Sequence, residues 1–292
     1  MKVAIYGRSI DQNEIEYFDK LLTILASNNI DVIIYEGFGE FLKNKRNYKT
    51  SLETYSLVEL LHHKAEVMIS IGGDGTILDT VSLIRDSQIP ILGINFGRMG
   101  FLAATGKEDF EEITLALINK TYTVVERELL EVVSDKPLFG EDNFGLNEFT
   151  LQRKNSSTMI NINTYINEEL LTTYWADGLI VATPTGSTGY SLSCGGPIVY
   201  PNSQSFIITP VAPHNLNVRP LVVPNTVKLR FEVSGRGNRF LATVDTRIQN
   251  IDSSYNITVQ KAKFTARLIS LNNKTFITAL RTKLLWGLDK RN

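Results

Sequence analysis

The sequence predicts two domains of different class: a parallel α/β domain over residues 1–122, then a β-rich, sandwich-like domain over residues 123–271, with residues 272–292 returning to the first. Three observations carry that expectation. The first third alternates short β-branched runs with longer helical patterns. Beyond Tyr122 the pattern changes to alternation with period two. The chain also has 292 residues, 43% of them hydrophobic and 21% charged, enough to bury a sizeable core and fill two domains.

In order along the first domain, residues 3–6, 30–35, 67–71 and 91–94 read as buried strands of a parallel sheet. Ile15, Phe18, Leu21, Leu22 and Leu25 recur at helical spacing between the first two, and a second helix, 77–85, follows a glycine turn. This is a Rossmann-like arrangement, in which ligands sit at the carboxyl ends of the strands. In the second domain Ile160, Ile162, Thr164 and Ile166 share one face against Asn161, Asn163 and Tyr165. Asn167-Glu168 turns that strand into 170–175, and further strands are expected at 179–182, 206–211, 227–233, 240–244, 257–260 and 264–269. The tail 275–286 returns to the first domain.

Composition excludes several classes of function. Thirty basic against 31 acidic residues give a net charge of -1, so no bulk electrostatic pull toward nucleic acid or membrane is expected and a small-molecule partner fits better. The single cysteine, Cys194, rules out an internal disulfide and a multi-cysteine zinc site, and reads as a buried, inert thiol. The apolar start is too short for a signal peptide and no segment is long enough to span a bilayer, so cytoplasmic residence is the default.

The sharpest local signal is Gly72-Gly73-Asp74-Gly75-Thr76, where a buried strand runs into glycines and then a helix. Glycines let backbone N–H groups approach phosphate oxygens, and a helix start adds positive potential. An acid in such a loop needs a reason. Phosphate repels Asp74 unless the carboxylate faces an acceptor hydroxyl or a metal ion, which points to phosphoryl transfer with Asp74 receiving or orienting the hydroxyl proton. The competing reading is an ordinary strand-to-helix turn capped by Asp74. Other phosphate motifs fail: Gly106-Lys107 is followed by Glu108 and has Phe101 where a P-loop requires glycine, and no G-x-G-x-x-G follows an early strand.

Two further segments carry polar chemistry. From Asp177 to Pro197 a strand enters a hydroxyl-rich turn that opens a short helix at Ser187 or Thr188, where free N–H groups and hydroxyls can grip a ligand; the plainer alternative is a conformationally demanding loop with capping hydroxyls. A serine nucleophile is disfavoured, because G-x-S-x-G is absent and only His62, His63 and His214 are available as a base. In Asn147-Glu148 an amide beside a carboxylate interrupts a strand-like segment and suits a nucleoside, though a solvated strand end has the same sequence.

Together, in this order, these three segments resemble the NAD kinase family. The GGDG signature alone is shared with diacylglycerol and sphingosine kinases, but Asn147-Glu148, then Asp177-Gly178 and the Thr185-to-Tyr190 block, is similar to NAD kinases in particular. The resemblance implies transfer of the γ-phosphate of ATP, or of another donor such as polyphosphate, to the 2′-hydroxyl of the adenosine ribose of NAD. It implies that Asp74 is the catalytic residue, with Gly72, Gly73, Gly75 and Thr76 forming the phosphate loop. Asp74, Gly75, Asn147, Glu148, Asp177, Thr188, Gly189, Tyr190, Ser191, Leu192, Ser193 and Ala212 would contact NAD. It further implies a homo-oligomer, dimer or tetramer, with Asp177 contributed across subunits. Mg²⁺ or another divalent cation is implied too, held mainly by donor phosphates since no side-chain cage is evident. Two departures stand out. Trp175 occupies a position associated with the choice between NAD and NADH, and Asp245-Thr246-Arg247 replaces an Asp-Gly-Gln turn, so no contact is carried over there. The rivals are a lipid kinase sharing the glycine loop and a dinucleotide-sensing module without turnover.

Overall fold

A computed structural model of the chain describes residues 1–45, 52–56, 59–60, 64–97, 100–103, 105–154, 158–271 and 275–287. The chain folds as two units, residues 1–126 with 266–292, and residues 127–265.

The first unit contains β1 (Lys2–Gly7), α1 (Ile15–Ser27), β2 (Asp31–Tyr35), α2 (Glu36–Lys43), β3 (Glu53–Tyr55), β4 (Val67–Ile71), α3 (Asp74–Ile84), β5 (Ile91–Asn95), β6 (Thr105–Gly106) and α4 (Phe110–Asn119). Its strands run parallel in the order β3-β2-β1-β4-β5. Every residue of β4 and β5 is buried, as strands covered on both faces must be. Ser70 fits that interior because its hydroxyl accepts a 2.9 Å bond from Thr80. The five apolar residues expected on one helix face, Ile15, Phe18, Leu21, Leu22 and Leu25, are the buried residues of α1. The order reverses between β1 and β4, since the connection after β1 leads to β2 on one side while β4 lies on the other. Loops diverge at such a switch point and leave a crevice at the strands' carboxyl ends. The glycine loop follows β4, so sheet topology puts it there.

The second unit takes up β7 (Thr123–Ser134), β8 (Phe144–Gly145), β9 (Glu148–Arg153), β10 (Ile160–Ile166), β11 (Glu169–Ala176), β12 (Gly178–Ala182), α5 (Tyr190–Ser193), β13 (Ser205–Val211), β14 (Leu221–Pro224), β15 (Leu229–Ser234), β16 (Phe240–Val244), β17 (Arg247–Ile251) and β18 (Asn256–Ser270). The backbone crosses between the units within β7 and β18, and α6 (Phe276–Lys283) belongs to the first. One antiparallel layer runs β11-β10-β15-β18 and the other β14-β13-β12-β9-β16-β17. Ile162, Phe231 and Val259 of the first share a core with Phe149, Val181, Ile208 and Phe240 of the second. That is the sandwich expected. The β10–β11 hairpin turns at Asn167 and Glu168, whose φ angles of 47° and 69° are the left-handed pair a two-residue turn of this hand demands.

Residues 257–260 and 264–269 are not two strands but one, β18. Ala262 is buried between exposed Lys261 and Lys263, so the period-two pattern continues through what reads as a polar break. Among the described residues no helix is long and apolar enough to cross a membrane.

Candidate functional site

In the first unit, β4 delivers the chain into the glycine loop, and the glycines have different reasons to be there. Gly72 has a φ of 144°, and a Cβ on it would run into the side chain of Thr76. Folding itself therefore requires this glycine. Gly73 is extended at the N-cap of α3 (φ -83°, ψ -170°). A Cβ on Gly73 or on Gly75 would meet nothing within 4 Å, so packing does not explain either residue. Buried Thr76 closes the turn, its N–H donating to the Gly73 carbonyl at 3.0 Å.

Asp74 is the first residue of α3, and no side chain caps that helix. Capping is thus not what this acid does. Its Oδ2 accepts the Phe101 N–H at 2.7 Å, and its Oδ1 accepts those of Leu102 and Ala103, both at 3.0 Å. A Cβ on Gly100 would fall inside the carboxylate, so the approach of that loop depends on glycine. A carboxylate offers about four lone-pair directions; among the described residues three are taken, leaving Oδ2 one that can accept from a hydroxyl. Helix α6 closes on the same loop, with the Phe276 ring 6.5 Å from that of Phe101 and Lys283 Nζ 5.3 Å from the Phe101 centroid.

In the second unit, Asn147 and Glu148 sit where β8 gives way to β9. Their backbone is held by Asp245, at the turn from β16 to β17, whose side chain is 2% exposed. Asp245 Oδ2 accepts the Leu146 N–H at 2.8 Å, and its Oδ1 accepts those of Asn147 and Glu148 at 2.9 and 3.1 Å. Asp245 is not among the site residues the sequence points to, because Thr246 and Arg247 replace the two following residues of the expected turn. The signal was the acid itself, retained at the turn's first position.

The hydroxyl-rich segment packs directly on this turn. The Thr183 N–H donates to the Asn147 carbonyl at 2.9 Å and its hydroxyl to that of Leu146 at 2.6 Å. A Cβ on Gly186 would land on the Asn147 backbone, while one on Gly189 would lie 3.3 Å from Glu148 Oε2 and 3.6 Å from Asn147 Nδ2. Two motifs some forty residues apart in sequence are one surface here. Glu148 Oε2 is buried and makes no hydrogen bond among the described residues. Burial first, then the neighbouring Asp245 carboxylate, push the Glu148 carboxyl up to about 8, against the opposing effect of the Tyr190 N–H. At neutral pH this acid is protonated and can donate a hydrogen bond as well as accept one.

The remaining residues of the set are dispersed by role. Thr188 bonds the Thr185 carbonyl at 3.3 Å, and exposed Tyr190 accepts from Gln152 at 2.9 Å. Ser191 is fully buried and bonded to Thr209 at 2.8 Å, whereas Leu192 is half-buried and Ser193 exposed. Ala212 is exposed with a φ of 44°, a left-handed conformation that is costly for a residue with a Cβ. Asp177 pairs with Arg153 at 3.1 Å. Trp175, 46% exposed, stands edge-on to His214 with centroids 4.3 Å apart, and its N–H and carbonyl bind Asn215 and the His214 N–H, both at 2.8 Å. Trp175, on β11, therefore packs on the loop that carries Ala212. His62 and His63 lie outside the described residues. Burial pushes the Cys194 thiol up, so little of it is thiolate at neutral pH.

Sequence models of the ATP-NAD kinase N-terminal and C-terminal domains match residues 3–122 and 146–271 respectively. The chain is 45% identical over 292 residues to the NAD kinase of Cytophaga hutchinsonii, covering all of both proteins. It is 39% identical over 291 residues to that of Bacteroides fragilis, again covering both completely. Among solved structures it resembles yeast NADH kinase complexed with NADH, with a TM-score of 0.86 and 26% identity over 99% of this chain and 88% of that one. The fold is also that of an NAD kinase from Archaeoglobus fulgidus in complex with ATP, with a TM-score of 0.73 over 98% of each chain at 24% identity.

Proposed function

The chain belongs to the NAD kinase family and phosphorylates NAD to NADP, and we propose that Asp74 is its catalytic residue, aiming the ribose 2′-hydroxyl at the γ-phosphorus of the donor. The observation that carries this role is the geometry of the Asp74 carboxylate. Three N–H bonds lock it at the start of α3, beside glycines that packing does not need, with one acceptor direction left on Oδ2. A hydroxyl donating there is oriented by a group that does not move, and can pass its proton to the carboxylate as the oxygen attacks. The amides of Gly73 and Gly75 take charge from the donor phosphates.

Asn147 and Glu148 hold the adenosine side, with Thr188, Gly189, Tyr190 and the segment to Ser193 beside them, and the Ala212 backbone and Asp177 as further contacts. The choice between NAD and NADH falls to Trp175. Magnesium, or another divalent cation, arrives with the donor. The described residues include no three His, Cys, Asp or Glu side chains placed to hold a metal, and Asp74 has three of its lone pairs occupied, so the fit is to an ion coordinated by phosphates and water. Such an ion would neutralise charge on the phosphoryl group. The protein works in the cytoplasm as a homo-oligomer to which Asp177 contributes across subunits. Neither a lipid kinase nor a sensor accounts for matches to both NAD kinase domains.

Two experiments test the assignments. Gly75→Ala places alanine in the first turn of α3, where it stabilises the helix by roughly 0.5–1 kcal/mol. Expected is a melting temperature equal to or above the parent's with NADP formation lowered about tenfold or more, because the methyl occupies the approach of the substrate. Unchanged activity would remove Gly75 from the site.

Glu148→Gln keeps the shape of the neutral acid, so NAD affinity at pH 7 stays within about threefold of the parent. The parent loses affinity as pH rises through about 8 and Glu148 ionises, while the glutamine variant stays level. Folding follows the same sign. A carboxyl raised in the native state binds its proton more tightly than the unfolded chain does, so the parent loses stability from about pH 4.5 up to about 8, and the melting-temperature gap in favour of the glutamine variant widens across that window. Parallel pH profiles for both proteins would show that Glu148 is ionised throughout.

A further inference from the structure

Helix α6 carries to the glycine loop a cation that the transfer aimed by Asp74 does not use. Lys283, the last residue of α6, has a buried Nζ with no hydrogen-bond partner among the described residues. It lies 5.3 Å from the centroid of Phe101, the residue whose N–H donates to Asp74 Oδ2. Asp74 is the charged group that acts on it electrostatically, against a desolvation that pushes the ammonium down. An ammonium has three donors, and burying them unpaired is costly unless something completes them. Asp74 alone does not, since no ion pair within 4.0 Å joins the two among the described residues and three backbone amides already hold that carboxylate.

The electrostatics of the loop call for such a cation. A polyanionic donor brought to the start of α3 meets the negative charge of Asp74, and the helix terminus supplies only about half a positive charge. The lysine nearest a P-loop in sequence, Lys107, is elsewhere, with Nζ 4.4 Å from the ring centroid of Tyr17. We propose that Lys283 is a donor-phosphate ligand, its ammonium turning on its four-carbon stem from the face of Phe101 to the terminal phosphate held at the glycine loop. This rests on the reading of that loop as the donor site. Phe101 then serves as a rest for the cation, and the contact between Phe276 and Phe101 keeps α6 in register with the loop.

The test is calorimetric titration of Mg-ATP, of tripolyphosphate and of NAD into the parent, Lys283→Met, Lys283→Gln, Lys283→Arg and Gly75→Ala. Methionine retains the stem over Phe101 and removes a buried charge, so melting temperature should not fall; glutamine is the second neutral variant should methionine disturb the fold. Expected is a loss of about ten- to hundredfold in affinity for both Mg-ATP and tripolyphosphate in the neutral variants. Affinity for NAD should stay within about twofold, and arginine should recover most of the loss. Donor affinity unchanged in a folded neutral variant, or a loss shared equally by NAD, overturns the proposal. If Gly75→Ala leaves Mg-ATP binding intact while the neutral Lys283 variants weaken it, the loop reading fails and Lys283 remains a donor ligand. A parent that binds neither polyphosphate overturns both.

Discussion

Asp74→Asn is expected to lower turnover by roughly 10²–10⁴-fold at saturating NAD and donor, with NAD affinity close to the parent's. The amide keeps the size of the carboxylate but cannot take the hydroxyl proton. The structure adds a second consequence. Only one atom of asparagine accepts, so at least one of the three N–H groups that Asp74 holds, from Phe101, Leu102 or Ala103, must face an NH₂ group instead. Each such loss costs about 1–3 kcal/mol in a buried setting. A lowered melting temperature should therefore accompany the lost turnover, and the two can be separated. Gly100→Ala attacks the same loop sterically while leaving the acid in place. If misplacement of residues 100–103 alone explained the loss, both variants would lose activity in proportion to stability. The catalytic role requires Asp74→Asn to lose far more activity per degree of melting temperature, read from NADP formation and thermal unfolding on the same samples. Turnover within tenfold of the parent would exclude the role outright.

The parts of the fold that were legible in the sequence are those whose periodicity is uninterrupted. Residues 67–71 and 240–244 match β4 and β16 at both ends, and the apolar positions of α1 are those the 3.6-residue spacing picks out. What escaped was obscured locally. Helix α2 carries Gly37 and Gly39, which weaken any helical reading, and its buried Phe38 and Leu42 gain meaning only from the sheet beneath. Helix α4 buries Phe110, Ile113, Ala116 and Leu117 at helical spacing, yet its exposed Leu115 and Ile118 blur the apolar face. The candidate site divides similarly. The chemistry of Asp74 was readable because an acid among glycines conflicts with phosphate binding. The partners of that acid, backbone amides 27 to 29 residues away, bear no side-chain signature and could not be read. Nor could the contact of Gly186 and Gly189 with Asn147 and Glu148, since a glycine required by close approach looks like a glycine required by a turn.

Asp245 is the case in which a missed residue should matter most. Asp245→Ala leaves the N–H groups of Leu146, Asn147 and Glu148 without their acceptor in a site the side chain fills almost completely. At about 1–3 kcal/mol for each buried donor the loss is of order several kcal/mol, enough to lower the melting temperature by many degrees in a domain of this size. Asp245→Asn should be milder, retaining one acceptor atom, and folded protein can then be assayed. With the Asn147–Glu148 turn no longer fixed, the KM for NAD should rise about tenfold or more while turnover at saturation falls less, since Asp74 is untouched. Charge provides a readout that loosened structure alone does not. Asp245 is one of the causes holding Glu148 up to about 8, so removing its negative charge lets Glu148 ionise at lower pH. The alkaline loss of NAD affinity then moves to lower pH in Asp245→Asn and disappears when Glu148→Gln is added. If Asp245→Asn keeps the parent's pH profile, Asp245 supports the turn without tuning the acid beside it; if KM for NAD is unaffected in folded Asp245→Asn, the turn does not hold the dinucleotide.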